Sequence, residues 1–440
     1  MYFLHSAFLC DRQLQRYMLI FCGEMMRNFG CDIFYLRKSF VKILALCILS
    51  FFMGFPYAFA IEVKSVDKFI DNAVFDAWDP NSDDVLFLRK DEKGILQIFK
   101  VKEGSINPES EKICVSCNPQ RAVGFTLSMI PAIHKGASDW HPSGEWFITQ
   151  GEIPNNISWK QEKRMPGARL LVEPEAGWWN NLFLVSKDGR VWIKLTSFTN
   201  NDPNSGVLYP KFSKDGKMIA WAERIGGTKP FDQYPFARWL LKTAKIHIDG
   251  ENARLSDVKL HPPQDGAFFE PQGWSSDGKL LFAADIGYGE LPYPGYRIDI
   301  WEADIVHDGA MKNPKNLTKS KDFYEEQASY SPDGKLIAFM ANNFDTHYEK
   351  RMHDSWKKDG QRFSHFIVRN LSTDLFLMAR DGKVVNRLTR FADQDWKGKH
   401  PIATRSAWSK DGKTILIGLT LRSDVTGKKE GEMIYRVRLE

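Results

Sequence analysis

Three groups of side chains in this 440-residue chain are of a type that could do chemistry. The first is histidine. His134, His347, His353, His365 and His400, with acids such as Glu325 and Glu326 near them, could hold a divalent metal, because neutral imidazole is the commonest protein ligand for one. Their spacings match no known ligand motif, so solvated or hydrogen-bonded histidines are the plainer expectation. The second is the pair Cys114-Val-Ser-Cys117. Asn118 follows where haem attachment needs His, and there is no second Cys pair to complete a zinc site. In an oxidising compartment the expectation is a local disulfide. The third is a recurring acid, Glu152, Glu223 and Asp285. Paired carboxylates can act as general acid and base, but a duplicated unit also repeats a polar position with no catalytic purpose.

The elements that position these groups are set by one phrase, written at least five times: Trp140-His-Pro-Ser-Gly-Glu145, Phe212-Ser-Lys-Asp-Gly-Lys217, Trp274-Ser-Ser-Asp-Gly-Lys279, Tyr330-Ser-Pro-Asp-Gly-Lys335 and Trp408-Ser-Lys-Asp-Gly-Lys413. A degraded sixth copy begins at Trp78, and an apolar run follows each copy. An aromatic, a few polar residues, Asp-Gly and then β-branched or aromatic residues describe a hairpin, with Asp-Gly supplying the positive φ angles of a type I′ turn. A second Asp-Gly follows in most units, and Leu-Thr or Leu-Ser (at Thr196, Ser256, Thr318 and Thr389) closes several. Each unit therefore reads as four strands, A to D. A four-stranded antiparallel unit repeated radially is a β-propeller blade. Six markers, 56 to 78 residues apart, predict an all-β, six-bladed propeller over residues 61–440. The last unit lacks a fourth strand, and the segment from Ile61 to about Lys68 is expected to supply it and close the ring.

Residues 1–60 read differently. Arg37, Lys38 and Lys42 precede an apolar core ending at Phe55, and Ala58-Phe59-Ala60 follows, as in a secretory signal peptide cleaved after Ala60. The length before the basic residues suggests a start at Met25 or Met26, and an uncleaved anchor is the competing reading. The expected location is periplasmic or secreted, with no stable membrane span after cleavage. Six basic residues and three acids leave with this segment, so the remainder carries a net charge of about +2. That balance argues against nucleic acid as a partner.

The aromatic-Ser-x-Asp-Gly-Lys-apolar phrase, clearest as Tyr330-Ser-Pro-Asp-Gly-Lys-Leu-Ile-Ala-Phe339, resembles the TolB-type (WD40-like) propeller repeat, which also occurs in the propellers of prolyl oligopeptidases. The resemblance covers residues 75 to 440 and implies the fold, not the role. The α/β domain that precedes the propeller in TolB has no counterpart in the roughly fifteen residues after Ala60. The Gly-x-Ser-x-Gly nucleophile motif of prolyl oligopeptidases is absent.

Strand geometry puts the A–B and C–D turns on one face of the disc and the long B–C and D–A connections on the other. The long connections are rich in aromatics, and the binding surface is expected there, built from Trp159, Trp178, Trp179, Asn180, Tyr234, Tyr288, Tyr293 and Trp356. The leading expectation is an exported module that binds an envelope protein, peptide or glycan without a cofactor. The alternative is a metal-dependent hydrolase or polysaccharide lyase with its site at the channel mouth.

Overall fold

In the computed structural model every copy of the repeated phrase occupies the same point of a blade. The structure describes residues 61–153, 173, 176–199, 205–225, 238–261, 268–287, 297–306, 310–320, 323–345, 347, 350 and 371–440. Residues 1–60, expected to be a signal peptide, lie outside them, as do Trp159, Tyr234, Tyr288, Tyr293, Trp356, His353 and His365. Two compact units are distinguished, Met1–Phe59 and Ala60–Glu440, and the second holds all the strands described below. No helix among the described residues is long and apolar enough to cross a membrane.

The first strand, β1 (Val63–Asp71), stands apart from the unit that follows it. Blade 1 comprises β2 (Val74–Trp78), β3 (Asp84–Lys90), β4 (Leu96–Lys102) and a two-residue β5 (Ile113–Cys114). After β6 (Arg121–Val123), blade 2 comprises β7 (Lys135–Trp140), β8 (Trp146–Glu152), β9 (Asn180–Ser186) and β10 (Val191–Lys194). Blade 3 is β11 (Val207–Phe212), β12 (Met218–Arg224), β13 (Trp239–Asp249) and β14 (Asn252–His261), and blade 4 is β15 (Phe269–Trp274), β16 (Lys279–Ala284), β17 (Asp299–Ile305) and β18 (Met311–Asn316). Blade 5 is β19 (Glu325–Tyr330), β20 (Leu336–Ala341), β21 (Asp374–Ala379) and β22 (Val384–Arg387). Blade 6 has β23 (Lys399–Trp408), β24 (Thr414–Ser423) and β25 (Lys429–Leu439), and β1 is its fourth strand, antiparallel to β25 from Val63↔Leu439 to Asp71↔Met433. The six inner strands contact their neighbours in sequence, and β23 contacts β2, so the ring is closed.

Two local expectations are corrected. The Asp-Gly turns are not type I′. Gly216, Gly278, Gly334 and Gly412 have φ of 70–81°, while their aspartates keep negative φ. The Asp instead works through its side chain. In blade 3 Ser213 Oγ donates to Asp215 Oδ1, Lys217 N–H donates to the same oxygen, and Met218 N–H donates to Ser213 Oγ. The same three bonds recur at Ser331/Asp333 and Ser409/Asp411. This explains why serine, and not only Asp-Gly, is written into the phrase.

Blade 2 also has five strands rather than four. Arg121–Val123 adds to its outer edge, parallel to β10. Chain leaving blade 1 crosses to blade 2 through the loop closed by the Cys114–Cys117 disulfide, whose Cα atoms are 5.6 Å apart. Val115, inside that loop, packs buried against the β9–β10 turn at Gly189.

The closing Leu-Thr is equally explicit. Thr196 Oγ1 accepts from Leu182 N–H and donates to Asn181 Oδ1, while Phe198 N–H donates to that same oxygen. Thr389 does the same with Leu375 N–H and Asp374 Oδ1, which also accepts from Phe391 N–H. Thr318 repeats it with Ile300 and Asp299. One hydroxyl thus ties the end of the fourth strand to the third and pins the connection to the next blade. Ser256 is the exception. The longer β13–β14 ladder puts it beside exposed His247, and Thr243–His261 takes over the buried position.

Candidate functional site

The inner strands are where the blades depart from regular pairing. Each breaks register once: between Phe75 and Ala77, Gly136 and Asp139, Leu208 and Lys211, Pro271 and Gly273, Glu326 and Ser329, and Ala403 and Ser406. A bulge leaves residues unpaired and re-aims their side chains. Those released include Asp76, Ser138, Tyr209, Gln272, Gln327 and Arg405, and Tyr209 and Gln327 take left-handed φ of 48° and 53°.

The residues freed in this way, with their immediate neighbours, tie the six blades together around the axis. Asp76 Oδ1 accepts from Ser138 N–H, linking blade 1 to blade 2. Asp139 Oδ2 accepts from Phe212 N–H, and Trp274 Nε1 donates to Lys211 O. Gln272 Oε1 accepts from Ala328 N–H, and Ser329 Oγ bonds Ser406 Oγ. Arg405 Nη1 donates to Asp76 Oδ1 at 2.7 Å and closes the circuit. The Arg405 guanidinium also lies 4.5 Å from the centre of the Tyr209 ring. Glu270 accepts from both Gln272 and Gln327, and Glu326 accepts from Tyr324 Oη. Burial, and then the neighbouring Glu326, raises the Glu270 pKa well above the usual carboxylate range; burial raises Glu326 too. Carboxyls in such surroundings hold protons that exposed ones have lost.

Outside this girdle, on the A–B turn face, opens a funnel of about 360 Å³. All six marker aromatics line it, and A–B turn residues including Pro80, Pro142, Lys214, Pro332 and Lys410 form its rim. Four of the aromatics (Trp140, Phe212, Trp274 and Tyr330) are buried between blades, whereas Trp78 and Trp408, on adjacent blades, are only half-buried. On the opposite face a smaller cavity of about 190 Å³ is lined by Tyr324, Glu326, Arg405 and Lys429 among others.

The residues singled out from sequence are placed elsewhere. Trp178 and Trp179, expected on the binding face, are 2% and 4% exposed. Arg224 stacks 3.8 Å above the Trp178 ring, the two indoles meet edge to face at 5.6 Å, and Trp179 N–H donates to Ser205 O. They join blade 2 to blade 3 as core, and Asn180, fully buried, donates to Trp178 O. Trp239 begins β13 and is buried. Glu152 and Asp285 accept from the backbone N–H of His134 and Phe268 at the entry to the inner strands, and Glu223 pairs with Lys242 and Trp221 Nε1. These acids therefore brace strand ends. Glu325 is buried, accepts from Asn343, and is raised by desolvation to about 7.

Of the histidines, His134 Nδ1 accepts from Leu96 N–H, His400 Nδ1 bonds Asp424 at 2.8 Å, and His347 is exposed. Among the described residues no group of three or more His, Cys, Asp or Glu is placed to hold a metal ion. The funnel and the girdle went unread in the sequence, although a signal was present. The run after each A–B turn is apolar, while the residues just before each marker (Asp76, Asp139, Lys211, Gln272, Gln327, Arg405) are polar within a strand.

No protein-family model and no curated protein matches the chain. Among solved structures it is similar to a putative TolB from Agrobacterium tumefaciens, at 15% identity and TM-score 0.45 over 84% of this chain and 91% of that one. A protein of unknown function from Dyadobacter fermentans matches at 11% and 0.45 over 86% and 100%, and an oligogalacturonate lyase in complex with manganese at 8% and 0.40 over 85% and 90%.

Proposed function

We propose that the chain is an exported binding module that holds a protein, peptide or glycan partner, and that the partner enters the funnel on the A–B turn face. One observation carries this reading: a cavity of about 360 Å³ walled by aromatics, beneath which the polar groups of the inner strands bond one another. A concave site in that volume range, with aromatic side chains beside convergent polar groups, is suited to holding a ligand. Asp76, Asp139 and Arg405, bonded to backbone N–H or to each other, support a floor that holds a ligand. The periplasmic or secreted location remains part of the proposal and follows from the leader.

Gly273 offers a clean test. It lines the funnel, and a Cβ built on it meets nothing within 4 Å. Gly273→Trp should fill the cavity while leaving the thermal midpoint nearly unchanged. Crosslinked capture from envelope extracts should then fall at least tenfold relative to the unsubstituted protein. Equal capture by a folded variant would remove the funnel as the site.

A further inference from the structure

We propose that the funnel selects a ligand bearing a carboxylate, which seats on the Lys211 ammonium at the floor while the body of the ligand lies against the indoles of Trp78 and Trp408. This rests on the funnel being the binding site. The charged lining residues are Lys211, Lys214, Arg405 and Lys410 against Asp76 and Asp139, a formal excess of two positive charges. Both acids are already engaged. Asp76 is fully buried and holds Arg405 and Ser138 N–H, so it offers a ligand no contact. Asp139 accepts from Phe212 N–H, and burial raises its pKa, which makes it a weaker anion than a surface aspartate.

Lys211 has an ion-pair partner, Asp139, but no hydrogen bond. Its Nζ lies 3.8 Å from Asp139 Oδ1, too far for a hydrogen bond, and makes none among the described residues. Its side chain is only 17% exposed, so the ammonium has three donors to satisfy and restricted access to water. Burial and the nearby Arg405 cation both lower its pKa, against the pull of Asp139, Asp76 and Glu270. An anion at this point relieves both effects. Lys214 and Lys410, exposed at the rim, extend the positive field outward, and protein walls focus it into the cavity. A cationic ligand would meet the excess charge, and a neutral one would leave Lys211 with only its looser pairing to Asp139. A charge-assisted bond to carboxylate is the strong alternative. Such a carboxylate comes from an acidic sugar or from a peptide, and at this volume one or two such units fit.

Calorimetric titration of the full protein with two matched pairs separates the sources: glucuronate against glucuronamide, and N-acetyltryptophan against its amide. For at least one pair the acid should bind at least tenfold tighter than its amide, and the pair that responds identifies the source. Lys211→Met should bring that ratio close to one, and Lys211→Arg should retain it, which guards against a variant that merely fails to fold. Gly273→Trp should abolish binding of acid and amide together. If acid and amide bind equally, selection by charge is wrong while the funnel stands as the site. If the acid preference survives Gly273→Trp, the site lies elsewhere and both readings fall. Failure of both acids to bind at millimolar concentration also overturns the proposal.

Discussion

Trp178 shows how a residue's type can point to one role and its surroundings to another. Aromatic, next to a second tryptophan and inside a long connection, it has the composition of a binding residue. Its ring is nonetheless sandwiched under Arg224 and sealed between blades 2 and 3. Loop length is legible in a sequence; which loop residues fold back into an inter-blade seam is not, because that depends on partners some thirty to forty-five positions away, such as Gly206 and Arg224. Trp178→Ala should therefore destabilise the protein by about 3–5 kcal/mol, as for other buried aromatics truncated to alanine. Chemical denaturation would measure it, and a change below about 1 kcal/mol would return Trp178 to the surface. The charged residues of the channel were hidden for a related reason. Arg405 and Asp76 stand 329 positions apart, and only closure of the ring brings them within 2.7 Å.

At the scale of the element, far more could be read in advance. The aromatic, the Asp-Gly and the apolar run placed strands A and B of every blade, because hairpin chemistry is local and each copy repeats it. The third strand and its turn followed from the second Asp-Gly. What escaped was β6, three residues long, without alternation, and paired in parallel with β10 through two residues' worth of backbone accepted at Arg190 O. The repeated Leu-Thr is visible as a pattern in the sequence, but the bonds it makes depend on strands that only the fold brings together. The part those bonds play is testable by contrast. Thr389→Val keeps the volume but strands Leu375 N–H in a buried site and removes one of two bonds to Asp374 Oδ1, a loss of roughly 1–3 kcal/mol. Ser256→Ala, drawn from the same phrase in blade 3, removes a bond to exposed His247 and should cost less than about 0.5 kcal/mol. Thermal melts of the two variants should differ clearly, and equal shifts would show that the hydroxyl is not the tie between strands.

For the whole molecule, six markers sufficed to give the number of blades, and the missing fourth strand of the last unit gave the means of closure. β1 takes that place, and the pairs Arg438–Asp67 and Lys64–Glu440 lie along the seam. Removing residues 61–71 should lower the thermal midpoint by at least 10 °C and promote association, since β25 would then present a bare edge. Size-exclusion chromatography would follow the second effect, and a monomer with an unchanged midpoint would show that the seam contributes nothing. The function stayed far less legible than the ring, because blade chemistry is written in every repeat while the funnel is assembled from single residues of all six.

The pairing of the first strand with the last also imposes an order in time. β1 is synthesised before any blade and has no partner until Met433–Leu439 emerges, some 370 residues later. Five blades can assemble from neighbouring sequence, but the sixth must wait, and the entropy of joining such distant ends makes that step slow. Through the wait β1 has an apolar end, Phe69 and Ile70, that any other strand could adopt. The rest of its length carries Lys64, Asp67, Lys68 and Asp71, and charges on an unpaired edge discourage the wrong neighbour. The ion pairs of the finished seam thus have an earlier task, keeping the nascent chain single until its own terminus arrives.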